Sequence, residues 1–313
     1  MSGRQLDVAA IQATPTYLDR EATLTHAADL TRQHGARGAD LVVFPESFVP
    51  GYPDWLWRHR PWSDGAWYER FVDNAVDIDG NHLDPVRDAA RDSSTWVALG
   101  VTEWTPSGTL YNSVVYIDRT GEVAGRHRKL IPTGAERLVW GNGTDHLLTT
   151  VDIDGTRVGA LICWENYMPL ARAAMYAEGV DVLLAPTWDN SDEWVPTLRH
   201  IAKEGQLFVV GVTAHLTGAH VPRDLPEADD LYGGDDDPMS AGNTTIVAPG
   251  GGIIAGPLLG EEGALTATLR IDDAVRGRRQ FDVVGHYARP DVLRLEVDRR
   301  PGVAGSQPTA HVG

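Results

Sequence analysis

Cys163 is the only cysteine of this 313-residue chain, and it stands where the apolar run VGALI, residues 158–162, stops. From Trp164 the period changes: Leu170, Ala173, Ala174 and Ala177 recur at helical spacing, and Gly179 marks the stop. A thiol at such a strand-to-helix turn lies near backbone N–H groups and the positive end of the helix dipole, and both favour thiolate. A free thiol of pKa ~8.5 is only a few per cent ionised at neutral pH, so each unit of depression, about 1.4 kcal/mol, counts. The same position also suits a small buried hydrophobe that packs a sheet, a common fate of free cysteine. Glu46 follows a second apolar run, DLVVF at 40–44, by way of Pro45. A carboxylate just past the C-terminal end of an apolar strand stands where α/β sheets place chemistry, or else begins a solvated loop. His127, Arg128 and Lys129 are adjacent bases in an acidic protein, for which a solvated patch is the usual explanation. A glutamate held against a lysine and a thiol takes the thiol's proton, so the chain contains the groups for nucleophilic catalysis with a carboxylate base.

The elements that must position these groups alternate between short apolar runs and helical patterns. Strands are expected at 6–11, 40–44, 95–101, 110–117, 122–126, 158–162, 180–185, 207–212, 244–248 and 264–271, and a hairpin-like pattern at 146–156. Helices are expected at 18–34, 65–75, 82–92, from 164 to 178, 192–204 and 272–280. Residues 48–68 form an aromatic segment holding four of the ten tryptophans, which needs a core, a ligand or a subunit to cover it. Residues 224–237 carry seven acidic side chains and read as a solvated loop, with only weak grounds for a calcium site because EF-hand spacing is lacking. Residues from about 300 onward are expected to be poorly ordered. No internal repeat or dividing linker is visible, so 1–298 read as one α/β domain followed by a short tail at 299–313.

Composition removes several classes of function. A formal net charge of -17 argues against nucleic-acid or anionic-membrane binding. A single cysteine forms no intrachain disulfide, no apolar run approaches the roughly 20 residues of a membrane span, and MSGRQLDVAAIQ lacks a long apolar core, so a cytoplasmic location is expected. The 11 histidines show no HExxH and no cysteine–histidine zinc pattern, and no P-loop, GxSxG or GxGxxG occurs, so no metal and no cofactor is expected.

Phe44-Pro45-Glu46, His127-Arg128-Lys129-Leu130 and Cys163-Trp164-Glu165-Asn166 resemble, in order and spacing, the three catalytic segments of the nitrilase superfamily. The resemblance extends through PESFVPGYPDW at 45–55, PTGAERLVWGNG at 132–143, MPLARAAMY at 168–176, APTWDNSDEW at 185–194 and GHYARPDVL at 285–293. It covers nearly the whole chain to about residue 298 and is similar to the nitrilase branch proper.

That resemblance implies a four-layer αββα sandwich and a homodimer or larger homo-oligomer. It also implies Cys163 as nucleophile, Glu46 as general base, Lys129 as the cation that stabilises developing charge, and Glu136 as a second glutamate orienting Lys129 and substrate. The backbone N–H of Trp164 would help hold the developing anion. Tyr52, Trp55, Trp57, Trp164, Trp188 and Asn190 flank these segments and are the candidates for the substrate pocket. So aromatic a set points to aryl or arylacetonitriles, although tryptophans buried in a subunit contact would give the same sequence. The implied reaction is hydrolysis of a nitrile to acid and ammonia through thioimidate and thioester intermediates. An amidase or carbamoylase with the same catalytic set is the alternative, and a catalytically silent scaffold on the same fold is a third.

Overall fold

Alternating burial decides the architecture. In β1 (Gln5–Gln12), Leu6, Val8 and Ala10 face one way and Ala9 and Ile11 the other, and all are buried. A strand buried on both faces needs a layer on each side. The computed structural model describes residues 3–234 and 236–298 and supplies those layers. The elements that follow are α1 (Arg20–Gly35), β2 (Leu41–Val43), α2 (Gly65–Asp73), α3 (Asp84–Ser93), β3 (Trp96–Trp104), β4 (Leu110–Ile117) and β5 (Val123–Arg128). Then come β6 (Thr150–Ile153), β7 (Thr156–Ala160), α4 (Pro169–Ala177), β8 (Val182–Thr187), α5 (Trp194–Gly205), β9 (Phe208–Thr213) and β10 (His215–Thr217). The chain continues through α6 (Ala228–Tyr232), β11 (Pro238–Val247), β12 (Ile253–Leu259), β13 (Gly263–Arg270) and α7 (Asp272–Arg278).

Among the described residues these strands make two mixed sheets. The first runs β13-β1-β2-β3-β4-β5, with β1, β2 and β3 parallel. The second runs β10-β11-β9-β8-β7-β6, with β7, β8 and β9 parallel and β12 paired to β11. One apolar core lies between the sheets and includes Val8, Val43, Ala98, Val114, Val158, Leu184 and Val210. A second packs α1 and α3 on the outer face of the first sheet, and a third packs α4 and α5 on the outer face of the other. The expected αββα sandwich is therefore present. A fourth, aromatic cluster of Tyr17, Tyr52, Trp55, Trp67, Phe71, Trp140 and Tyr232 draws the 48–68 segment against residues 214–239.

Three expectations need correction. The helix after Cys163 does not start at Trp164: a 3₁₀ turn, Cys163–Tyr167, comes first, and Met168 is extended before α4 begins at Pro169. A residue that precedes proline is pushed out of the helical region, so one continuous helix was barred. The first helix starts at Arg20 and not at 18, because the Asp19 side chain accepts the Ala22 N–H at 3.0 Å and caps it. The described residues of the acidic stretch 224–237 are docked as well as solvated. Trp67 Nε1–H donates to Pro226 O at 3.0 Å, Arg58 donates to Leu231 O and Asp237, and α6 buries Tyr232 under the Arg58 guanidinium. The anticipated tail at 299–313 lies outside the described residues.

One glycine is required by the way Glu46 is presented. Leaving β2, the chain crosses the inward face of β3, where a Cβ on Gly100 would stand 1.9 Å from Pro45 O and 2.8 Å from Ser47 N. Both obstacles are backbone and do not rotate away. Gly100→Ala is expected to destabilise the fold by about 3 kcal/mol through overpacking, read as a lower urea midpoint at unchanged slope. An unchanged midpoint would show that the 45–47 loop is not fixed by contact with β3.

Candidate active site

The parallel strands of both sheets end at the same edge of the sandwich, and four functional side chains leave from there. Glu46 follows β2, Lys129 follows β5, Cys163 follows β7, and Glu136 lies on a 3₁₀ turn, Gly134–Leu138. The three basic residues at 127–129 are not a solvated patch: all are buried. The period of two explains why. His127 pairs with Val114 and faces between the sheets. Arg126 and Arg128 face the opposite way and close on the buried Glu103, which Ser113 also contacts. Lys129, two residues after His127, returns to the inner side.

There the Lys129 ammonium sits between two carboxylates. Its Nζ donates to Glu46 Oε1 and to Glu136 Oε2, each at 2.8 Å. The remaining acceptor capacity is also used. Asn112 Nδ2–H donates to Glu46 Oε1 at 2.8 Å and the Trp188 N–H to Glu46 Oε2 at 2.7 Å. Tyr52 O–H donates to Glu136 Oε1 at 2.8 Å and the Thr133 N–H to Glu136 Oε2 at 2.7 Å. Burial penalises the Lys129 charge, but Glu46, Cys163 and Glu136 outweigh that and hold its pKa above the ordinary lysine value. Burial likewise pushes the Glu46 carboxyl up; Lys129 pulls it down and Glu136 adds to the rise, leaving it above the usual glutamate value.

Cys163 opens its 3₁₀ turn with φ at 52°, a left-handed backbone that costs a non-glycine residue about 1–3 kcal/mol. Its thiol is buried, and the expected thiolate is not the resting form. Burial pushes the pKa well above the ordinary cysteine value, Glu46 and Glu136 push it further, and Lys129 and the Thr187 hydroxyl recover only part. The dipole argument failed because α4 starts six residues later, at Pro169, and because burial, with Glu46 and Glu136 adding to it, opposes the thiolate. A neutral thiol beside a carboxylate with a raised pKa is an arrangement in which proton transfer accompanies attack.

The proposed pocket residues separate into groups. Tyr52 and Trp188 stack at 4.7 Å with planes 10° apart, and both contact the carboxylates described above. Trp57, 52% exposed, donates through Nε1–H to the Tyr52 hydroxyl at 3.1 Å and lies over Gly134. Trp164 is 51% exposed and donates to Asp189. Asn190 is exposed and donates through Nδ2–H to Trp188 O at 3.2 Å. Trp55 is not placed with these: it is 0% exposed, packed against Trp67 and Phe71 in the aromatic core. Its neighbour Trp57 faces outward, which no spacing within a tryptophan-rich loop reveals. Asn112, which grips Glu46 by its side chain and the Lys129 N–H by its carbonyl at 2.8 Å, was missed by sequence reasoning. Its only signal is a polar residue on the inward face of an otherwise apolar strand.

The comparisons agree with this geometry. The carbon-nitrogen hydrolase family profile matches residues 7–279. An aliphatic nitrilase of Sinorhizobium fredii is 42% identical over 302 residues, covering 94% of this chain and 96% of that protein. A bifunctional nitrilase/nitrile hydratase of Nicotiana tabacum is 36% identical over 297 residues, covering 92% and 84%. The crystal structure of the C. elegans NitFhit protein superposes with a TM-score of 0.74 at 21% identity, covering 97% of this chain and 70% of that one.

Removing the central cation would leave two buried carboxylates facing each other. Lys129→Ala is expected to lose about 3–5 kcal/mol of stability at neutral pH. The Glu46 carboxyl, already raised by burial, would lose the cation that pulls it down and stand further above its unfolded value. The deficit is therefore full at neutral pH and shrinks as pH falls through that raised Glu46 value toward ~4.3. Denaturant unfolding at pH 7 and pH 5 checks this, and a loss equal at both would refute it.

Proposed function

Because the chain belongs to the carbon-nitrogen hydrolase family, we propose that it is a nitrilase that converts an organic nitrile and two waters to a carboxylic acid and ammonia. The observation that carries this reading is the buried ammonium held by two carboxylates, close enough to the sole cysteine for all three charges to act on its thiol. A nitrile carbon is a weak electrophile. It needs a soft nucleophile at carbon and a proton or cation at nitrogen, and Cys163 with Lys129 supplies both.

In the proposed course Glu46 takes the thiol proton as Sγ adds to the nitrile carbon, and the nitrogen is protonated to give a thioimidate. Water then adds with its proton passing to Glu46, and ammonia leaves from the tetrahedral intermediate. A second water cleaves the resulting thioester, releasing acid and restoring the thiol. Lys129 stabilises charge at the substrate nitrogen, and Glu136 orients Lys129. The Trp164 N–H opposes the developing anion, a kind of donor worth about 3 kcal/mol. If the tetrahedral intermediate expels sulfur instead of ammonia, an amide is released, so amide is a minor product.

The substrate class is read from the walls. Tyr52 donates to Glu136, stacks on Trp188 and accepts from Trp57, so aromatic rings adjoin the carboxylates and support an aryl or arylacetonitrile substrate. The second reading is an aliphatic nitrile, favoured by the name of the 42%-identical relative. Self-association belongs to the same proposal, supported by exposed Tyr287, Val292 and Leu293 on the C-terminal stretch. Among the described residues no helix is long and apolar enough to cross a membrane.

Incubation with phenylacetonitrile and with a short aliphatic dinitrile, followed by quantification of ammonia, acid and amide, tests the function. Acid and ammonia are expected from phenylacetonitrile, none from Cys163→Ala, and almost none from Cys163→Ser, whose hydroxyl ionises far less readily. Turnover of amides alone would move the protein to an amidase reading. The pH profile is a separate test. Burial raises the Glu46 pKa, and a base must be deprotonated to act. The acid limb of kcat/KM is therefore expected above the ~4.3 of a free glutamate, and a limb at or below that value would remove Glu46 as the base.

A further inference from the structure

His127 and Glu165 take no part in the course above, yet both are as buried as the residues that do. His127 precedes Lys129 by two positions on the inward face of β5, and Glu165 follows Cys163 by two on the 3₁₀ turn. His127 Nε2 lies 3.0 Å from Glu165 Oε2, and the Leu148 N–H donates to His127 Nδ1 at 2.9 Å. A ring nitrogen that accepts carries no hydrogen, so the imidazole proton is on Nε2 and is donated to Glu165. The same carboxyl group accepts the Leu130 N–H on Oε1 at 2.7 Å and the Ile162 N–H on Oε2 at 2.6 Å. Leu130 adjoins Lys129 and Ile162 adjoins Cys163. One buried carboxyl thus holds the backbone beside the cation, from the first sheet, and the backbone beside the nucleophile, from the second.

We propose that His127 and Glu165 form a brace, a pair of positioning residues that fixes Lys129 relative to Cys163 and so decides the fate of the tetrahedral intermediate. The proposal rests on the nitrilase reading of the site. From that intermediate, cleavage of C–N with the nitrogen protonated releases ammonia and leaves the thioester. Cleavage of C–S, with the proton going to sulfur, releases amide. Stabilisation at nitrogen favours the first route only while the ammonium is held in place, so a loosened brace shifts product toward amide. The brace also resists its nearest isostere. In Glu165→Gln the new NH2 must face an N–H donor, and the ring is unable to switch tautomer because Nδ1 is engaged by Leu148.

The test compares wild type with Glu165→Gln, His127→Leu and His127→Gln on phenylacetonitrile, measuring kcat, KM, acid-to-amide ratio and thermal midpoint. For Glu165→Gln and His127→Leu kcat should fall about 100-fold, the scale of a 1 Å misplacement, with KM little changed and the amide share increased. His127→Gln, which keeps a side-chain N–H for Glu165, should recover most of both. Folded variants with wild-type kcat and product ratio would overturn the proposal. So would a fall in kcat without extra amide and without recovery in His127→Gln, which is what a purely structural pair would give. If His127→Leu does not fold, His127→Asn decides: its Oδ1 stands near the Nδ1 position and accepts from Leu148, whereas its shorter amide places no N–H at the Nε2 position that meets Glu165. Its wild-type behaviour would overturn the brace, and loss of kcat with added amide would support it. Failure of the nitrilase reading shows separately, as no acid from wild type with any nitrile. The kcat loss and its recovery in His127→Gln are then read on the amide that is hydrolysed.

Discussion

One ammonium shared between two buried carboxylates sets the terms for the rest of the molecule. Taking Glu46, Lys129 and Glu136 out of water costs several kcal/mol per ion unless every lone pair finds a donor. The structure meets that demand from five separate places: Asn112 on β4, the Trp188 N–H after β8, Tyr52 on the aromatic segment, Thr133 before the 3₁₀ turn, and Lys129 itself. These places belong to both sheets and two connecting segments. The site is therefore formed only when the sandwich has closed, and Tyr52 and Trp188 join it to the aromatic cluster. Burial first, and then the same surplus of negative charge, disfavour the thiolate. A trio that is already formally -1, from two carboxylates and one ammonium, repels another anion.

Much of this was legible in the residues. Apolar runs located the core strands to within a few positions, and the ends of two such runs located Glu46 and Cys163. The resemblance added Lys129 and Glu136, and the structure brings all of these into one constellation. What stayed hidden was orientation. His127, Arg128 and Lys129 read alike as a basic tripeptide, but the pleat sends His127 and Lys129 to one face and Arg128 to the other. Trp55 and Trp57 are two positions apart, yet one is core and the other half-exposed, because a 3₁₀ turn and not a strand carries them.

The state of the thiol was misjudged for a related reason. Local reading sees the turn and the helix beyond it, whereas the pKa is raised first by burial and then by Glu46 and Glu136, both more than 25 residues earlier in the chain. The acidic loop carried the same lesson. Its charge suggested solvation, and its partners, Arg58 and Arg70, lie 179 and 154 residues earlier.

The lone, buried, protonated cysteine has a consequence for redox chemistry. Oxidants attack thiolate, so a resting thiol held neutral is slow to enter the sulfenic acid ladder. Once oxidised, however, it has no second cysteine in the chain to capture it as a disulfide. Protection lies in burial and in a raised pKa that disfavours the thiolate, and a sulfenic acid formed there depends on an external thiol for repair.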